Sequence, residues 1–486
     1  MALTILASGS LRMSTGTNVI QVETTTTGVY KFRFYLSVTY FTKAEATTKT
    51  ITFTQPKNSS GKAIFNMNEI YKNIVTPMIR PCLLEDSKNT TTPSKITSIH
   101  NIPQSSSGKD RLYSKPYLEN PDGYGAFQGN CNKAVLRFYE MYSTTADGIP
   151  IVQAGTEETV NQWVFYGRGE RKQTSAETWT DYDLQNYTKK WLTNNYKLDS
   201  NGNYVGYIGR NQYMTMAFFN GHTANASADT YETRFAFYNS SGVQLGSNLV
   251  ALNTADTGGK YGGTTGSSNT GRSAILFIGA GLENLDKINT TQTGYTGDTP
   301  SDVESTSGDT IAYYDMWMAQ STGAQTSKKY RFYVTTPCAR YEETRLAYMN
   351  KFGVWEYINL NKEKNNTYNV KRDSINKPLF ASETPDAEDV DALQNVYSSE
   401  VANQGVMVTN VQVEEQMTLY TQNLDDSELD RINDLILSPQ IHLLDDDKAI
   451  ALICTTNKIN TKVQGKSRLY SYQLKFKFAD PKYRTI

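Results

Sequence analysis

The chain has 486 residues, of which 38% are hydrophobic and 12% aromatic, and at about three times the usual domain of roughly 150 residues it is expected to form two to four domains. Its 48 basic and 49 acidic side chains give a formal charge of -1. That balance excludes the broad cationic field of a protein that grips nucleic acid by neutralising phosphates, while leaving a surface past which DNA could slide.

A mean hydropathy of -0.54 combined with 33 Tyr suits strands with one wet face, so the class is mainly β. The N-terminus, MALTILASGSLRMSTGTNVIQ, has a short apolar patch without a leading positive charge and makes a poor signal peptide. No run approaches the roughly 18 apolar residues that span a bilayer, so no membrane anchor is expected. The N-x-S/T triplets at Asn58, Asn186, Asn239 and Asn289 follow from a composition rich in Asn and Thr. The protein is expected to be made and assembled inside a cell.

In chain order, Val29 to Phe41, Lys49 to Gln55 and Lys133 to Ser143 alternate apolar and polar residues as half-buried antiparallel strands do. Between them, Asn68 is placed to cap a short helix with Ile70, Ile74 and Val75 on one face, which Pro77 ends. These elements define an N-terminal β-sandwich over residues 1–154, interrupted by a long polar loop at 85–129 of a length that is usually functional or ordered by a neighbour.

Residues 155–327 read as a second sandwich, with strands in WVFYGRG, YMTMAFFNGH, TYETRFAFYNSSG, SAILFIGAGL and TIAYYDMWMAQS. Two low-complexity stretches within it, 254–271 and 290–309, are expected to be mobile loop tips. Residues 328–486 form an α+β C-terminal module. It opens on the strand KKYRFYVTT and contains a long β-hairpin arm or strand pair over 404–424. A helix in DDSELDRINDLILSP follows, capped by Asp425, buried through Leu429, Ile432, Leu435 and Ile436, and stopped at Ser438-Pro439.

Motifs with catalytic potential are incomplete. Gly167 to Lys172, Gly279 to Asn284 and Ser59 to Ala63 resemble phosphate loops, but none completes a phosphate-binding pattern within a βαβ unit. Asp199 to Tyr204 lacks the glycine and glutamate positions of a calcium loop and reads as a hairpin turn around Asn201-Gly202. His100, His222 and His442 have no paired spacing, so a zinc or Cys/His site would have to be assembled by the fold. Cys82, Cys131, Cys338 and Cys454 have no CxxC spacing and read as free buried thiols. Neither metal nor cofactor is expected.

Acidic clusters at Glu383 to Asp391 and Leu443 to Asp447 could supply the carboxylate pair of a glycan hydrolase, although solvated loops are their default. Trp163, Trp179, Trp191 and Trp317 would be the platforms of a receptor- or carbohydrate-binding tail fibre. Burial in a core or interface outweighs that role, and the repeats usual in a fibre stalk are missing from the sequence.

The densest motif is TPCARYEETRLAYMNKFGVWEYINL, Thr336 to Leu360. Cys338 has no histidine within a hundred residues, so a structural role fits better than catalysis. Leu346, Tyr348, Phe352 and Trp355 are expected to fill a core beside a turn at Gly353, with Arg340, Glu342, Glu343 and Arg345 as ion-paired or hydrogen-bonded supports around that turn and Asn350 as a further residue of the same structural motif.

This motif, the later helix-to-strand passage DDSELDRINDLILSPQIHLLDDDKAIALI and the closing KSRLYSYQLKFKFA look like the C-terminal module of tailed-phage structural proteins, especially the tail ring proteins of crAss-like podoviruses of Bacteroidota. The opening TITFTQP and SGKAIFNMNEIYKNIV also resemble that family, so the likeness covers both ends, about half of the chain. It implies a non-enzymatic virion protein forming a dodecameric ring in the tail. Its neighbours would be adjacent tail rings, a portal or adaptor, or a tail hub, and genome DNA would pass through with weak contact. It also implies that 404–424 and 85–129 reach onto neighbouring subunits or rings.

Overall fold

The computed structural model describes residues 3–5, 11–15, 18–41, 48–75, 100, 113–114, 131–168, 181–182, 188–194, 197–219, 231–252, 275–288, 295–320, 323–336, 341–376, 406–421, 424, 426–445, 448–458 and 471–480. The fold is mainly β, with several separate sheets and, among the described residues, four helices.

The N-terminal unit is a sandwich. A three-stranded sheet of Leu3–Ile5, Val19–Thr24 and Lys62–Asn66 faces a larger sheet whose order is Leu11–Thr15, Glu158–Arg168, Cys131–Ser143, Tyr30–Phe41 and Thr48–Pro56. Alternation does the sorting: Phe32, Phe34, Leu36 and Val38 point to one side and pack with Ile20, Val22 and Phe65 of the opposite sheet. The helix Asn68–Ile74 closes this core with Ile70, Tyr71 and Ile74. Met67 occupies its cap position, while the Asn68 side chain instead accepts from the Asn18 N–H at 3.1 Å. The strand Glu158–Arg168 completes the larger sheet, although it lies past residue 154.

The middle of the chain contributes a six-stranded sheet and a three-stranded one. Tyr330–Thr335 belongs here, paired with Tyr313–Gln320 and running parallel to Tyr204–Gly209. Its Tyr330 and Phe332 stack on Tyr204 and Tyr314, which explains why it packs with preceding strands rather than with the segment that follows it. Two points of the 85–129 loop are tied inward: Tyr113–Ser114 pairs with Ile275–Gly279, and His100 is buried in the centre. The rest of that loop, and residues 254–271, lie outside the described residues.

Residues 290–309 depart from the expected mobile tip. Tyr295–Thr296 pairs with the end of Gln244–Leu252, and Pro300–Ser307 is a helix capped by the Thr299 hydroxyl, which accepts from the Asp302 N–H at 3.3 Å. Low complexity concealed a Thr cap with proline at the first helical position, a strong helix start.

The C-terminal sheet has seven strands in the order Trp355–Leu360, Thr344–Met349, Ile441–Asp445, Lys448–Cys454, Gln473–Phe478, Val406–Tyr420 and Lys364–Asn376. The helix Asp426–Leu437 buries Ile432 and Leu435 against it, with Leu429 and Ile436 half-buried; Asp425 lies outside the described residues. The arm differs from the expected hairpin within 404–424. Val406–Tyr420 is one strand of 15 residues whose partner is Lys364–Asn376, a strand of 13 residues exposed throughout.

Candidate functional site

The motif Thr344 to Leu360 folds as a β-hairpin, Thr344–Met349 against Trp355–Leu360, with Met349 opposite Trp355. Asn350 builds its turn. The Asn350 carbonyl accepts from Gly353 N–H at 3.0 Å, and its side-chain oxygen accepts from Phe352 N–H at 2.9 Å. Gly353 has φ +73°, and a Cβ there would run into the Tyr166 carbonyl, so only glycine fits. On the neighbouring residue, the Lys351 carbonyl accepts from Arg168 N–H at 3.0 Å, which locks the turn onto the last strand of the N-terminal sandwich.

Both faces of this hairpin are buried. Ala347, Met349, Phe352, Val354, Trp355 and Tyr357 join the large central core together with Met13, Trp163 and Phe165, whereas Leu346, Tyr348 and Leu360 join the C-terminal core. Thr344 to Met349 is therefore buried at every position, not at every second one.

Charged groups stitch the same place together. Asp434 on the C-terminal helix pairs with Arg168 at 2.8 Å and also accepts from Lys351 N–H at 3.1 Å and from the Asn194 side chain. Glu356 accepts from Thr193 Oγ1, from Asn194 N–H at 2.9 Å and from Tyr348 OH at 3.2 Å. Burial and then the nearby Glu356 push the Asp434 carboxyl up to about 6, against the downward pull of Arg168. Replacing Arg168 by Ala is expected to lower stability by about 1–3 kcal/mol, because Asp434 then loses its ion-pair partner while it stays largely buried. Urea denaturation of the variant against the parent measures this.

Of the two roles expected for Arg345, the hydrogen-bonded one is found. Arg345 is buried and donates to Gln212, to Asn359 Oδ1 at 2.8 Å and to the Tyr213 carbonyl at 2.7 Å. Glu343 is reached only through Gln212, whose amide donates to it at 2.7 Å. Burial accordingly lowers Arg345 to about 10. Glu342 is exposed at the rim of an open cleft of about 830 Å³, while Cys338 and Arg340 lie outside the described residues.

Histidines far apart in sequence do meet. His100 Nε2 lies 3.0 Å from His442 Nδ1, and His100 Nδ1 lies 2.8 Å from the Tyr357 hydroxyl, which in turn lies 2.7 Å from Thr215 Oγ1. Trp355 stacks on His442 at 4.7 Å and meets the His100 ring edge-on at 4.8 Å. Burial, then the neighbouring His442, holds His100 well below the ordinary imidazole value, and burial holds His442 at about 4. Both rings are neutral near pH 7. With each His100 nitrogen engaged and its ring sealed from solvent, His100 links these elements and is no open base for a substrate.

No family model matches the sequence, and no curated protein matches it.

Of the named motif residues, Arg345, Leu346, Asn350, Gly353 and Trp355 converge on this junction. The partners that sequence reasoning missed, Arg168, Thr193, Asn194, Gln212 and Asp434, come from distant segments with no local signal. Gly279 to Asn284 does lie between a strand and a helix, but in an antiparallel sheet. Gly281 is needed there because a Cβ would strike the Gln212 carbonyl and Met214 N. Asp199 forms the expected turn, with Gly202 N–H donating to its carbonyl at 3.1 Å. Trp163, Trp191 and Trp317 are buried, and Trp179 lies outside the described residues, as do His222 and residues 383–391. Cys131 is a free buried thiol and Cys454 a half-buried one; Cys82 lies outside the described residues.

Proposed function

We propose that this chain is a structural virion protein that assembles with copies of itself into a ring of a phage tail around the DNA channel, bound to adjacent tail components. The observation that carries the reading is the arm. Beyond Gln416, where Val406–Tyr420 leaves its neighbour Gln473–Phe478, the ribbon has two strands and no third among the described residues. From Tyr368 to Asn376 it extends about 30 Å.

One face of that ribbon carries most of its apolar side chains, beside Arg372, Ser374, Asn376 and Glu415. Tyr368, Val370, Val406, Val408, Val411 and Val413 share it, because a bulge at Thr409 shifts the alternation so that both valine pairs point the same way. Tyr368, Val370, Val406 and Val408 are each 44–50% exposed. The same row continues inward through the buried Glu415 to Met417 and Leu419, which are fully buried in the C-terminal core. A two-stranded ribbon is marginal alone in water, so an arm of this length with a bare apolar row suits a protein completed by its neighbours. The near-neutral charge suits a conduit that DNA crosses with weak contact.

Purified protein at assembly concentrations, with its neighbouring tail protein present, is expected to form closed rings visible by electron microscopy. A variant with 368–415 replaced by a short turn is expected to stay monomeric. Cys338→Ser is expected to assemble normally. Strictly monomeric behaviour of the parent, with no copy in the tail of imaged virions, overturns the reading.

A further inference from the structure

The arm ends its sheet, so the outer edge of Lys364–Asn376 presents a row of backbone N–H and C=O groups that no other described strand pairs with. Such an edge is a template for another strand. Most other strands that end a described sheet are poor recipients. Trp355–Leu360 and Tyr204–Gly209 are largely buried, and Leu3–Ile5, Tyr295–Thr296 and Tyr113–Ser114 have two or three residues. Leu11–Thr15 and Lys62–Asn66 have five each.

The exception is Thr48–Pro56, a nine-residue strand at the end of the larger N-terminal sheet that pairs, among the described strands, with Tyr30–Phe41 alone. Its two rows differ in chemistry. Ile51 and Phe53 lie opposite the buried Val38 and Leu36 and are themselves only half covered, whereas Thr50, Thr52 and Thr54 are exposed. The arm strand matches this over its first half only, with Tyr368 and Val370 on one row and Asn369, Lys371 and Asp373 on the other; farther out Arg372 and Ser374 join the first row and Ile375 the second.

Matching rows are what fixes register when a strand joins a sheet with one buried face, since a slip by one residue would put Tyr368 and Val370 on the wet side. Within one chain these two edges each end a separate sheet, and no described strand occupies the outer side of either.

We infer that Lys364–Asn376 of one copy adds as an outer strand to Thr48–Pro56 of a second copy. The inference rests on the ring assembly proposed above and names the surfaces that would build it. The arm's apolar row then extends the row of Ile51 and Phe53, and its polar row extends the threonines. Donor and acceptor lie at different places on the chain, so the contact is head-to-tail, and repeated contacts of this kind close into a ring or run on as a filament.

To test it, Thr52→Cys and Lys371→Cys are made on separate chains in a Cys454→Ser background. The two are mixed, assembled and treated with a short bismaleimide. Both positions are exposed and polar, so neither change disturbs a core. The expected result is a covalent dimer in the mixture that neither variant gives alone, with amide exchange across Thr48–Pro56 slowed about tenfold or more on assembly. Rings without the bridge, whose Thr48–Pro56 amides exchange as in the monomer, overturn this pairing and leave the ring reading standing on other surfaces. Failure of the unmodified protein to assemble at all overturns both.

Discussion

Trp355→Ala is expected to destabilise the protein by about 3–5 kcal/mol, a large share of the stability of a typical domain. The indole is 2% exposed, in the central core, and fills the space between His442 and His100. Removing it opens a cavity under a hairpin whose other face belongs to the C-terminal core. Loss of Trp355 should therefore loosen both cores together. Denaturant unfolding followed by far-ultraviolet circular dichroism measures the effect, and Trp355→Phe, which keeps a ring beside His442, should recover much of it. An unchanged midpoint for the alanine variant would show that the hairpin does not join the cores.

Acid is expected to weaken the protein through the same junction. His442 is held at about 4 in the fold against an ordinary imidazole value of 6.5. Between those values the unfolded chain binds a proton that the folded chain refuses. Stability from this group is complete above pH 6.5 and is lost as the pH falls toward 4, by about 3 kcal/mol over that window. His100 is depressed as well, by burial first and then by His442 and Arg345, and acts in the same direction.

Asp434 acts in the opposite direction. Its carboxyl, raised to about 6, takes up a proton in the folded state, so acidification from pH 6 toward 4 favours the fold and offsets much of the His442 share. Comparing the parent with His442→Asn, whose amide can still hydrogen-bond to His100, isolates the histidine part. The variant should lose stability less steeply between pH 6.5 and 4; parallel curves would remove His442 from this role.

The strands were legible wherever one face is wet. Tyr30–Phe41 and Lys448–Cys454 alternate as their burial does, and the helix Asp426–Leu437 shows its stripe of Ile432 and Leu435. Thr344–Met349 was legible as a core segment for a different reason. Its residues are large and apolar or buried polar at every position, and only the fold shows that the two faces serve two cores.

What the sequence hides is pairing over distance. Nothing near Asp434 announces Arg168, and the 15-residue arm strand finds its partner in Lys364–Asn376, whose Asn, Thr and Lys content carries no strand signal of its own. The histidine pair is the same problem at its extreme, because a side chain in a long polar loop reads as surface until the core it enters is seen.

The double-sided hairpin also has a consequence for how the molecule is made. All strands of the N-terminal sandwich lie between Leu3 and Arg168, so that unit has its full set of partners when little more than a third of the chain has emerged. The central core does not. It waits for Trp355 and Tyr357, and His100 meets its partner only when His442 arrives, 342 residues later. During synthesis the middle sheets therefore stand with their aromatic faces open until the last part of the chain closes them. A nascent chain stopped before Thr344 would hold one finished sandwich beside an unsealed, sticky one. Completion of the chain, more than its early folding, decides when this protein becomes safe to accumulate.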